Sequence, residues 1–161
     1  MSQAYQLIAE YYGNKTTKRS GITLINHIDE GRIILDHLNT SDIVKDAYYL
    51  HPLLQSDEYF IVNKEMSFDG VNTQSIILTC EYRRVANSYL SFMNKKEFVG
   101  LTCLEIKKML IADKIQNYKD FMLYHYPTHE KSDRLYEYFH DWFEILKINN
   151  KELVELIKLI K

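Results

Sequence analysis

Three observations predict an all-α fold. Apolar residues recur close to every 3.6 positions along nearly the whole chain, the spacing of a helix with one buried face. Only five Gly and two Pro occur in 161 residues, so turn punctuation is sparse. With 46% hydrophobic residues, the chain can fill one proper core, and a single multi-helix bundle spanning 1–161 is expected.

The first helix is expected from Gln3 to Tyr12, where Gly13-Asn14 ends it because both residues tolerate left-handed backbone. A polar loop, NKTTKRSGIT, follows. Ile28, Gly31, Leu35 and Leu38 then mark the face of a second helix, with His27 at its entrance on the rim of that face. Asn39-Thr40-Ser41-Asp42 offers oxygens to cap a third helix, whose inner face is Val44, Ala47, Tyr48 and His51. That helix is expected to stop at Pro52, so that His51 closes an apolar stripe on the inside.

From Leu53 to Asn72 the periodicity is weakest. This stretch reads as a short helix plus a loop, and is the place for a mobile lid. Leu78, Tyr82, Val85, Tyr89 and Phe92 predict a long helix from about Thr73 to Met93, with Glu81, Arg83, Arg84 and Asn87 on its other faces. After a polar link, NKKEFVG, the residues Ile106, Leu110, Asp113 and Asn117 share one face of the next helix. An acid and an amide therefore stand on a buried stripe. Pro127-Thr128 is expected to open a helix carrying the strongest stripe, Leu135, Tyr138, Phe139, Trp142, Phe143 and Leu146. A last helix with Leu153, Leu156, Ile157 and Ile160 follows Asn149-Asn150.

Charge and composition narrow the partners. Twenty basic against 22 acidic residues give a formal charge of −2, so no global field recruits extended nucleic acid or an anionic membrane, and phosphate recognition must be local. Two cysteines, Cys80 and Cys103, are too few for a disulfide framework and read as reduced thiols of a cytoplasmic protein. The start, MSQAYQLIAEYYGNK, lacks the features of a signal peptide, and no stretch approaches ~18 apolar residues. The chain is expected to be neither exported nor membrane-spanning. Thirteen Tyr, seven Phe and one Trp fall mostly on helical stripes and are read as core rather than as base-stacking surface.

Asp113 is the residue that asks for chemistry. A carboxylate on a buried face costs several kcal/mol unless a positive or hydrogen-bonding group meets it. A divalent cation shared with His27 and His51 would do so, and neutral imidazole with carboxylate suits Mn, Fe or Zn. A salt bridge to Lys114, Arg84 or Arg19, beside two hydrogen-bonded core histidines, would satisfy the same carboxylate, and spacing leaves both arrangements open. His125 and His129 also have ligand spacing, but Pro127 between them breaks a helix, so they are assigned to a surface loop without metal.

Three stretches in order, KRSGITLINH, IDEGRIILDHLNTSDIVKDAYYLH and MLIADKIQN, resemble the HD superfamily of metal-dependent phosphohydrolases, and within it the alarmone hydrolases of the Rel/Spo type. The resemblance covers the chain to about residue 120. It implies a compact HD-domain-like bundle in which His27, His51 and Asp113 are metal ligands. It further implies that Lys18 and Arg19 contact a base or phosphate, and that Asn117 contacts the nucleotide or supports the ligands. The implied partner is a nucleotide or another phosphorylated small molecule.

Two departures from that pattern bear on activity. The family's His-Asp pair reads His51-Pro52 here, and its adjacent Glu-Asp pair, which positions or activates the attacking water, reads Gln55-Ser56. Proline offers no ligand atom, and Gln and Ser cannot take a proton near neutral pH. The cation is expected to bind more weakly or to have been lost, and its water to be less activated. Asp57 and Glu58, just past that pair, and Glu81, which shares a polar stripe with Arg84 and Ser88, are the candidate replacement acids. Glu81 is preferred among them, with a solvated surface acid as its plain alternative.

The favoured expectation is a binding or regulatory module with little or no hydrolysis. The alternatives are an active phosphohydrolase with a rearranged acid set, and a helical interaction protein whose tyrosine-rich faces meet a partner or a second copy of the chain. An alarmone synthetase is not expected, since that activity needs a separate domain.

Overall fold

Helix caps set most of the boundaries. The computed structural model describes residues 1–18, 20–55, 67–91, 102–126 and 128–161. Among them are α1 (Gln3–Tyr12), α2 (Ile25–His37), α3 (Asp42–Gln55), α4 (Thr73–Ser91), α5 (Leu104–Tyr124), α6 (Ser132–Leu146) and α7 (Asn150–Leu159), and no strand of a sheet. The all-α class is as the periodicity predicts. At α1, Ser2 Oγ accepts the Tyr5 N–H, and Gly13, at φ +49°, donates its N–H to the Ala9 carbonyl. At α7, Asn149 accepts from the backbone N–H groups of Lys151 and Glu152.

Four expectations need correction. Asn39 and Thr40 do not cap α3; they close α2. Asn39 adopts φ +50°, its N–H reaches the Asp36 carbonyl, and Thr40 donates N–H and Oγ1–H to the Leu35 carbonyl. Asn accepts that left-handed conformation at little cost, and the turn satisfies carbonyls that α2 would otherwise leave bare.

α3 does not stop at Pro52 but runs through it to Gln55, burying Leu53 and Leu54 beyond the proline. The lost helical hydrogen bond is replaced at the acceptor, because His51 Nδ1 lies 2.6 Å from the Tyr48 carbonyl that residue 52 would ordinarily serve.

On α4, Tyr82, Val85 and Ala86 are buried, but Leu78 sits only on the flank, and Ser75 and Thr79 take the centre. The reason is close approach to α3. Ser75 Oγ–H donates to the Ile43 carbonyl and Thr79 Oγ1–H to that of Ala47, both at 3.0 Å, which small hydroxyl side chains permit and leucine would not. Gln55 and Asn87 extend the seam, with Asn87 Nδ2 donating to the Gln55 carbonyl. Phe92 and Met93 lie outside the described residues.

α6 begins at Ser132 rather than at Pro127-Thr128. Residues leaving α5 form hydrogen-bonded turns instead, with the His129 N–H on the His125 carbonyl and the Ser132 N–H on that of His129. Its inner face is Phe139, Trp142 and Phe143.

α3 and α5 run through the middle of the core, which gathers Ile8, Ile28, Leu35, Tyr48, Leu50, Tyr82, Ile106, Leu110 and Trp142. Gly31 marks where α2 meets α3, with the Tyr48 phenol occupying the space a side chain would fill. The 14–23 loop is held by a Thr16–Thr23 bridge and by a Leu24 N–H bond to the Lys15 carbonyl. Of the expected lid, residues 56–66 lie outside the described residues, as does the NKKEFVG link. Cys80 and Cys103 are free and exposed. No helix among the described residues is long and apolar enough to cross a membrane.

Candidate metal centre

His27 on α2, His51 on α3 and Asp113 on α5 meet at one point inside the bundle. His27 Nε2 is 3.2 Å from His51 Nε2, and Asp113 Oδ1 is 3.5 Å from the first and 3.7 Å from the second. A point equidistant from three atoms so placed lies about 2.0 Å from each, close to the ~2.0–2.1 Å bond of zinc to nitrogen or carboxylate oxygen. The same triangle is nearly one face of a tetrahedron with ~2.1 Å bonds, whose edges are ~3.4 Å.

The hydrogen-bond partners decide what the two rings present to that point. Gln116 Nε2 donates to Glu30 Oε2 at 3.0 Å and to Asp120 Oδ2 at 2.8 Å. Carboxylate oxygens accept and do not donate, so the amide can face only one way and its Oε1 turns to His27 Nδ1, 2.6 Å away. The His27 hydrogen is therefore on Nδ1. His51 Nδ1 in turn points at the Tyr48 carbonyl, which again can only accept. In their neutral forms both rings thus direct unprotonated Nε2 atoms at each other and at a carboxylate oxygen. Three lone pairs within 3.7 Å repel unless a cation, a proton or a donor meets them, and the donors at hand are Tyr48 Oη, 3.5 Å from His27 Nε2, and Asn117 Nδ2 on Asp113 Oδ1.

The electrostatics fit that account. Burial, with His27 adding to it, lowers the His51 pKa to about 3, so this ring is neutral at physiological pH. Burial alone would raise the Asp113 carboxyl, but Lys114, ahead of any positive charge on His51 and His27, outweighs it and holds the group well below the usual carboxylate range. Lys114 Nζ lies 2.7 Å from Asp113 Oδ2 and over the Trp142 ring at 5.1 Å. Burial works against its charge, and the Asp113 carboxylate keeps its pKa raised nevertheless. Of the cations considered for Asp113, Lys114 pairs with it, while Arg19 lies outside the described residues. It occupies Oδ2 and leaves Oδ1 to the histidines. Asn117 Nδ2 also donates to Oδ1, at 2.8 Å, as a supporting group would.

Two tyrosines complete the walls. Tyr48 Oη–H donates to the His27 carbonyl at 3.3 Å, and the Tyr82 ring lies 5.1 Å from that of His51. Burial, with Asp113 adding to it, raises both phenols well above their ordinary range, so both stay protonated. His27 is the open side, its side chain 19% exposed against 3% for His51 and 7% for Asp113.

A cavity of about 410 Å³ lies beside Lys114 and Asn117, the partners of Asp113, and is lined also by Thr17, His125, His129 and Tyr138 among others. Its size suits a small molecule. Thr17 comes from the loop that also carries Lys18, which is exposed; Arg19 lies outside the described residues. His125 and His129 thus face a cavity that spacing gave no reason to expect. Glu81 sits on the α4 flank with both carboxylate oxygens held by Arg84, at 2.6 and 2.9 Å. Asp57 and Glu58 lie outside the described residues.

Sequence reasoning missed the partners that orient the rings: Gln116, Glu30, Asp120 and the Tyr48 carbonyl. Their burial shows only in the structure, where α5 carries Asp113, Lys114, Gln116 and Lys119 buried on different faces, a helix enclosed by polar as well as apolar contacts. No family model, curated protein or solved structure matches this chain.

Proposed function

We propose that the chain is an HD-like helical domain in which His27, His51 and Asp113 hold a divalent cation. In this reading it binds a nucleotide or another phosphorylated small molecule beside that cation, with little or no hydrolysis. The observation that carries the proposal is the meeting of three lone pairs at metal-bonding spacing, with both Nδ1 hydrogens already committed elsewhere. Three protein ligands leave a fourth position for water or a phosphate oxygen. Lys114, Asn117 and His125, lining the cavity, offer donors to an anion. Little or no hydrolysis is expected from the described residues: Gln55 is an amide engaged with Asn87, and the Glu81 carboxylate is held by Arg84, so neither is placed as a base.

A second reading draws on the Lys114–Asp113 pair. If the lysine neutralises the carboxylate, a single proton on His27 Nε2 could relieve the remaining repulsion and the cluster would be structural. Metal content separates the two. Purified protein supplied with Mn²⁺ or Zn²⁺ should retain about one ion per chain, and Asp113→Asn should lose it along with the metal-dependent rise in melting temperature. Wild type that neither retains an ion nor responds to chelator defeats the metal centre and leaves the structural cluster.

A further inference from the structure

We propose that Pro52 is a positioning residue for the centre. It leaves the Tyr48 carbonyl without its helical donor, reserves that carbonyl for His51 Nδ1–H, and thereby holds His51 Nε2 as a lone pair toward His27 and Asp113. The effect on metal affinity rests on the reading given above; the choice of nitrogen does not.

In an α-helix the N–H of each residue donates to the carbonyl four positions earlier, so residue 52 serves Tyr48. Proline has no N–H, and its ring crowds that carbonyl, which is why interior prolines are costly. Here the proline lies within a continuous helix, with Tyr48, Leu50 and Leu53 wholly buried around it. A bare carbonyl at that depth would be a serious loss, since buried backbone acceptors are almost always paired. His51 Nδ1, 2.6 Å away and nearly wholly buried, fills the vacancy.

A neutral imidazole carries one hydrogen, so committing Nδ1 decides Nε2. His27 reaches the same state by another route, through the fixed amide of Gln116. The two routes give one outcome, a matched pair of Nε2 lone pairs 3.2 Å apart. A residue with an N–H at position 52 would compete for the Tyr48 carbonyl, and the freed His51 ring could then place its hydrogen on Nε2, where it would bond to Asp113 or His27 and block the cation.

The test is Pro52→Ala in the full chain. Long-range nitrogen–proton NMR of the ¹⁵N-labelled, metal-free protein near neutral pH reads which ring nitrogen carries the hydrogen. Wild type is expected to show the Nδ1–H form at His51, and the variant a mixture with Nε2–H. Zn²⁺ affinity, measured by chelator competition, should fall on the order of tenfold, the scale of losing a partner that orients a metal ligand. The melting temperature of the metal-free variant should hold or rise, because alanine is the better helix residue. A merely structural role would leave the nitrogen signature unchanged. An Nε2–H form in wild type, or a variant with the wild-type signature, overturns the proposal whatever the Zn²⁺ result. If wild type takes up no Zn²⁺ but the signature shifts on substitution, the metal centre fails and the positioning role stands.

Discussion

Gly31→Ala is the sharpest test of how α2 and α3 fit together. A Cβ built on Gly31 would lie 2.0 Å from Tyr48 Oη, 2.3 Å from Cζ and 2.4 Å from Cε1, all well inside contact distance. The atoms belong to a ring that is wholly buried, packed beside both His27 and His51, and hydrogen-bonded to the His27 backbone. Alanine in a helix interior gains about 1 kcal/mol over glycine. Overpacking of a filled core costs roughly 1–3 kcal/mol, and two ring atoms and the hydroxyl of one phenol, all too close, place this site at the upper end. The net expectation is a loss of about 2 kcal/mol, or roughly 4–8 °C in melting temperature for a domain of this size. Thermal unfolding followed by helical circular dichroism reads it directly. In a Tyr48→Phe background the nearest atom is gone, so the same substitution should cost less, a coupling that a double-mutant cycle isolates. An unchanged or higher melting temperature for Gly31→Ala would mean that α2 and α3 do not close on the Tyr48 ring as described.

Three other outcomes follow from the same residues. The unfolded His51 titrates near 6.5 and the folded ring at about 3, so the unfolded chain binds more protons between those values. Stability of metal-free protein should therefore be full above about pH 6.5 and fall with acid, by about 3 kcal/mol at pH 4.5, with the depressed Asp113 carboxyl adding loss at lower pH still; a flat denaturation profile from pH 7 to 4.5 would refute a neutral buried ring. Lys114→Met should destabilise the metal-free fold by about 3–5 kcal/mol through an unpaired Asp113, and Zn²⁺ should recover part of that loss; a melting curve equal to wild type without metal counts against the ion pair. Guanosine tetraphosphate incubated with the protein and Mn²⁺ should release little or no pyrophosphate above background, because on the proposed HD-like reading Pro52 and Gln55 stand where acids would be needed; sustained turnover would send the search for a base to Asp57, Glu58 or Glu81.

How far the sequence disclosed this fold depends on what kind of signal each element carries. Periodicity located every described helix, because one buried face per helix is what a bundle requires, and α1 and α7 carry their caps in the local sequence. The errors fall where a residue's local preference has two uses. Asn39 and Thr40 can cap the helix that follows or close the one before, and the left-handed turn after α2 takes them. Pro52 can end a helix or be carried inside one when a side chain serves the freed carbonyl. Ser75 and Thr79 look polar in a pattern, yet they occupy the closest contact between α3 and α4 because their hydroxyls find carbonyls there.

The candidate centre divides along the same line. His27, His51 and Asp113 were legible because each interrupts or ends an apolar stripe, where an unexplained polar group demands a partner. Their orientation was not legible, since it depends on Gln116 reaching Glu30 across the bundle and on a backbone carbonyl no side-chain pattern records. Along the sequence, Pro52 after His51 reads only as a residue with no ligand atom. In the folded helix it also lacks the backbone N–H that would serve the Tyr48 carbonyl, from which His51 Nδ1 lies 2.6 Å away. What a residue beside a candidate ligand contributes therefore turns on backbone hydrogen bonds as well as on ligand atoms, and the His51 nitrogen signature in Pro52→Ala is the measurement on which that distinction rests.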